Sequence, residues 1–120
     1  MIDKAAWADL EERTVIPGFH GRFLHSGRMT FVLWRLDAGA VLPAHAHPHE
    51  QVVHVLAGEL EMTLEGETTS CGPGTVLVIP PDAPHSGRVL TDASVMDVFS
   101  PVREDYRDGG EMLLAQALEG

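Results

Sequence analysis

The run Gly58-Glu59-Leu60-Glu61-Met62-Thr63-Leu64-Glu65-Gly66 alternates polar and apolar residues between two glycines. Successive side chains of a strand point to opposite faces, so Leu60, Met62 and Leu64 face a core and the glutamates face water. The flanking glycines mark hairpin turns. Outward from this strand the same grammar repeats. Met29 to Leu36 is almost wholly apolar and is expected to be a strand covered on both faces. Gly72-Pro73-Gly74 makes a turn before Thr75 to Ile79, read as a short buried strand. Pro80-Pro81-Asp82-Ala83-Pro84 forces an extended loop that delivers His85, and Val89 to Phe99 supplies the last strand or strands. Helical patterning is confined to the ends: a weak one from Asp3 to Arg13 with Ala6, Trp7 and Leu10 on one side, and one from Glu111 to Leu118. Many short strands at regular spacing indicate an all-β fold, a small antiparallel barrel or jelly roll with short terminal helices.

At 120 residues the chain is expected to be one domain. A formal charge of −10 argues against nucleic acid and anionic membranes as partners, and an acidic ligand would need a local cation. Cys71 is the lone cysteine, so no intrachain disulfide forms and a reducing compartment is the natural home. The first residues lack a basic stretch followed by an apolar run, and no segment approaches the roughly 20 apolar residues of a membrane span. The expectation is a cytoplasmic protein.

The chemistry concentrates in His45-Ala46-His47-Pro48-His49-Glu50-Gln51, with His85 beyond. On an extended strand His45 and His47 would aim two imidazoles to one side, roughly 7 Å apart at the backbone. Neutral imidazole binds divalent Zn, Ni, Cu and Fe, and an amide oxygen such as that of Gln51 can complete the shell. Taken singly, each histidine reads as a surface residue. His54 has the opposite parity to Gln51 and should face away; His20 and His25 read as surface or barrel-edge residues, and His49 as a hydrogen-bonding residue at the rim.

Gly39, His45, His47, Gln51 and Gly58, separated by five, one, three and six residues, resemble the first motif of the cupins. Gly74, Pro80 and His85, separated by five and four, resemble the second. Three departures stand out: Gln51 replaces the usual acidic ligand, Asp82 stands where Gly is usual, and Val89 where Asn is usual. Asp tolerates left-handed turn geometry, and Val89 is not a ligand position. The motifs lie within residues 39–89. The resemblance implies a six- to eight-stranded conical barrel with His45, His47, Gln51 and His85 converging on a divalent metal (Zn, Ni, Mn, Fe or Cu). With no carboxylate ligand, both charges of such an ion stay uncompensated, which strengthens it as a Lewis acid and as an anchor for an anion.

A narrower resemblance rests on Asp97-Val98-Phe99-Ser100-Pro101-Val102-Arg103-Glu104-Asp105-Tyr106 together with His47 to Gln51. This is similar to the small cupins of pectin and alginate breakdown, which open the ring of 4,5-unsaturated monouronates. It implies that Asp97 acts as general acid or base, Arg103 clamps the carboxylate of a small anionic sugar acid, and Phe99 walls the ring. It also implies a homodimer, for which an apolar face such as Val52 and Leu56 is suited. Without the resemblance, Asp97 reads as a turn cap, Phe99 as core and Arg103 as the partner of Glu104 or Asp105 at the surface. Two further functions compete: an Fe(II)-dependent dioxygenase, and a non-catalytic sugar- or metal-binding module.

Overall fold

The computed structural model describes residues 3–108. Its strands are β1 (Arg13–Ile16), β2 (Phe19–His25), β3 (Thr30–Leu36), β4 (Val41–His45), β5 (Glu50–Ala57), β6 (Leu60–Leu64), β7 (Glu67–Cys71), β8 (Val76–Ile79), β9 (His85–Val89) and β10 (Ala93–Ser100), followed by a short helix α1 (Glu104–Arg107). They form a six-stranded sheet in the order β1-β2-β3-β10-β5-β8 and a four-stranded sheet in the order β4-β9-β6-β7, every pairing antiparallel. Val32, Trp34, Val53, Leu60, Met62 and Val95 are buried in the core. This is the expected all-β jelly roll.

The alternating run behaves as its sequence demands. Leu60 and Met62 are buried, and Gly58 and Gly66 both take positive φ, +84° and +83°. At Gly58 the need is double, because a Cβ there would collide with the Asp92 carbonyl and come within 2.7 Å of the Ala93 Cα. Asp82, the departure from glycine in the second motif, sits at φ 64°. The loop thus keeps its left-handed turn, which Asp adopts more readily than most residues.

Three expectations need correction. No α-helix forms from Asp3 to Arg13: Trp7–Asp9 makes one 3-10 turn with no buried residue, and β1 already begins at Arg13. A helix this short has no packed face to stabilise it. In β3, burial alternates instead of covering both faces: Thr30, Val32, Trp34 and Leu36 are buried, and Arg35 is exposed. In β8 only Ile79 is buried, whereas Val76 and Val78 are 56% and 53% exposed. β8 is the last strand of its sheet. Glu111 to Leu118 lies outside the described residues.

Candidate metal centre

Four chain segments meet at one end of the sandwich. His45 closes β4 and His85 opens β9, and the two are register partners, so their rings stand 4.3 Å apart between centroids. His47 is not on the strand with His45, as simple parity would have it. It lies in the connection from β4 to β5, and its ring is 5.5 Å from that of His45 and 4.9 Å from that of His85. Gln51 follows on β5, buried and opposite Phe99 of β10. One ring nitrogen from each of His45, His47 and His85 falls within a single 4.8 Å cluster.

The backbone fixes which nitrogens those are. Nδ1–H of His45 donates to the Pro43 carbonyl at 2.9 Å, that of His47 to the His49 carbonyl at 3.2 Å, and that of His85 to the Ala83 carbonyl at 2.9 Å. Each Nε2 is left as a lone pair, the tautomer that metal-ligating histidines adopt. Burial keeps the rings neutral. It pushes the His45 pKa down to about 4, aided by the charge of His85, and that of His47 to about 3, aided by Arg103. His85 is lowered too, by burial first.

Gln51 completes the set. Its Oε1 lies 3.1 Å from the His47 Nε2. With the proton on Nδ1, that contact sets two acceptors face to face. The His85 Nε2 is buried with no hydrogen-bond partner. Converging, unprotonated acceptors with no donor among them fit a cation between them. Three imidazoles and an amide suit a divalent transition ion and leave its charge uncompensated.

β10 supplies the wall beside the cluster. Asp97 and Phe99 share its buried face, as strand parity requires. The Trp34 indole N–H donates to Asp97 Oδ2 at 2.9 Å, while Oδ1 has no partner. Burial raises the Asp97 pKa to about 6; the neighbouring Gln51 amide, the Trp34 bond and the Arg103 charge hold it from going higher. Phe99 packs edge-on to His47, with ring centroids 5.7 Å apart. Arg103 is also at the site, but buried, where its ion pair with Asp105 is 2.6 Å long. His45, Gln51, His85, Asp97, Phe99 and Arg103 line a cavity of ≈ 50 Å³ that opens to solvent.

The remaining histidines are elsewhere. His54 is exposed on the far face of β5. His20 bonds to Thr14 and Asp37, and His25 to Thr30. His49 lies outside the three-histidine cluster; its backbone carbonyl orients His47, and its own Nδ1 is buried without a partner. Sequence reasoning missed Trp34 and Tyr106, which also line the cavity. A tryptophan in an apolar strand carries no sign that its N–H serves a carboxylate 63 residues away.

Known proteins share the sequence pattern and the fold. Pectin degradation protein KdgF of Dickeya dadantii is 34% identical over 70 residues, 57% of this chain and 64% of that protein. The solved structure of KdgF from a Halomonas species superposes with a TM-score of 0.78 at 33% identity, covering 82% of this chain and 93% of that one. Dimethylsulfoniopropionate lyase DddQ of Ruegeria pomeroyi is 35% identical over 72 residues, 59% of this chain but only 35% of the lyase. A family model described as a cupin domain matches residues 32–99, which hold His45, His47, Gln51 and His85. With its two antiparallel sheets and its histidines at the positions the motifs assign, the chain belongs to the cupin family.

Proposed function

We propose that this cupin is a metal-dependent isomerase that opens the ring of 4,5-unsaturated monouronates to linear keto-uronates. The observation that carries the reading is Asp97: a buried carboxylate with one oxygen that makes no hydrogen bond, lining the same cavity as His45 and His85, two of the three neutral, tautomer-fixed imidazoles. Likeness to two KdgF proteins supports the substrate class.

His45, His47, Gln51 and His85 would hold the ion. A bound divalent ion would supply a Lewis acid for the sugar oxygens. The rest falls to the chain. Asp97, through Oδ1, takes the proton of the anomeric hydroxyl; the bond from the anomeric carbon to the ring oxygen breaks, and its electrons stay on that oxygen. Asp97 returns the proton at carbon 4, turning the enol into the ketone. The atoms balance as an isomerisation, with no oxidant or reductant. Phe99 walls the ring, and Arg103 binds the carboxylate.

The test is an anaerobic assay of metal-loaded protein on 4,5-unsaturated galacturonate, following loss of the conjugated-alkene absorbance. The expected result is metal-dependent loss above the spontaneous rate, reduced at least 100-fold in Asp97→Ala. No acceleration with any divalent metal would remove this substrate. Turnover that needs Fe(II) and oxygen would establish the dioxygenase reading instead. The small cavity and the likeness to DddQ favour one second reading, elimination from a small carboxylate such as dimethylsulfoniopropionate. The same protein offered that substrate distinguishes the two.

A further inference from the structure

Arg103 is held on every side that can be named. It is 1% exposed. Its backbone N–H donates to Thr30 Oγ1 at 2.9 Å, and its guanidinium carbon lies 4.7 Å from the Phe99 ring centre and 4.0 Å from that of Tyr106. Nε and Nη2 donate to the two oxygens of Asp105 at 2.9 and 2.6 Å. A guanidinium has five N–H donors in one plane and two edges that can grip a carboxylate. One is the side edge, Nε with one Nη; the other is the end edge, formed by the two Nη groups. Asp105 fills the side edge. Only the end edge remains for a second carboxylate.

The pair also stands at a boundary. Arg103 lines the inner cavity with His45, His85 and Asp97. Asp105 lines a separate outer hollow of ≈ 570 Å³ with His49, Pro101 and Arg107. Its side chain is 11% exposed, so the fork is largely shielded from competing water. A buried guanidinium without this partner would be an uncompensated charge, free to turn toward any other acceptor.

We propose that Asp105 is a positioning residue: by occupying the side edge of Arg103 it aims the end edge into the inner cavity, where that edge takes the substrate carboxylate. This rests on the reading of the substrate as a uronate. Asp105 touches no reacting atom. It sets the angle at which Arg103 meets the carboxylate, and so acts on binding more than on the proton transfer.

The experiment is calorimetric titration of metal-loaded protein with galacturonate, which lacks the double bond and is not turned over. Steady-state kinetics on the unsaturated sugar run in parallel. Asp105→Asn loses the charge and sets an NH₂ against one guanidinium N–H. It is expected to weaken galacturonate binding and raise KM about tenfold or more, with a smaller change in kcat. Asp105→Glu keeps the charge but moves it by one methylene, and should fall between wild type and Asp105→Asn; it serves if the latter does not fold. Metal content should stay unchanged in both. Binding as tight as, or tighter than, wild type in Asp105→Asn would overturn the proposal, the tighter result marking Asp105 as a competitor for Arg103. A wild type that binds no galacturonate would overturn it as well. A wild type that binds galacturonate yet leaves the unsaturated sugar intact would sink the ring-opening reading, and the binding comparison would still decide Asp105.

Discussion

At the scale of the residue, the role proposed for Asp97 runs against stability. Burial lifts its pKa from 3.8 to about 6, against the pull of Gln51, Trp34 and Arg103. The folded value lies above the unfolded one, so metal-free protein loses stability as pH rises from about 4 to about 6, and the loss persists above that window. A shift of this size corresponds to about 3 kcal/mol. Asp97→Asn in the metal-free protein is therefore expected to gain on the order of 1–3 kcal/mol at pH 7 and nothing near pH 3.5, measured by urea denaturation. Equal stability of the two proteins at pH 7 would mean that the carboxylate is not penalised by its surroundings. Trp34→Phe acts on the same group from the other side. It leaves Oδ2 without its donor, and a cost of about 1–3 kcal/mol is expected in the same measurement. The clustered histidines were legible as a set, because imidazoles at cupin spacing point to one another, whereas each taken singly reads as a surface residue. Asp105 was legible only as one of two acidic neighbours of Arg103. That it fills one edge of a buried guanidinium depends on Phe99 and Tyr106, which come from different elements.

At the scale of the element, turns were read more surely than burial. Gly58 combines a φ of +84° with the Ala93 backbone close against its missing Cβ. Gly58→Ala is expected to cost at least about 1–3 kcal/mol, seen as a lower urea midpoint with an unchanged slope. A neutral result would show that the turn relaxes freely. The strand from Leu60 to Leu64 and the loop that delivers His85 also stand where their residues put them. Apolar runs were less informative. Met29 to Leu36 and Thr75 to Ile79 read as covered on both faces, yet each shows one face to the outside. A run of apolar side chains fixes the strand; what lies over each face is a property of the neighbours. The short pattern from Asp3 to Arg13 failed for a related reason, having no surface to pack against.

At the scale of the whole molecule, the outer face of the six-stranded sheet carries an in-register apolar row: Val78, Val52, Val98, Phe31 and Leu24. Beside it Val76 and Met96 flank His54, and Leu56 is 43% exposed. The homodimer implied by the family resemblance is a proposal, and this is the surface it would use. Val78→Glu together with Leu56→Glu is expected to convert a dimer into a monomer by light scattering, with the thermal transition retained. A wild-type monomer at every concentration, or a dimer indifferent to these charges, would remove the proposal. No helix among the described residues is long and apolar enough to cross a membrane. By itself the sequence determined the strand grammar, the left-handed turns and which histidines cluster, because these follow from local periodicity, backbone sterics and motif spacing. The tertiary structure alone decided which ring nitrogens are free, that Trp34 holds Asp97, that Asp105 holds Arg103 and which apolar face stays open. Each of these depends on groups far apart in the chain, brought together by the pairing of β10 with β3 and β5 and of β4 with β9.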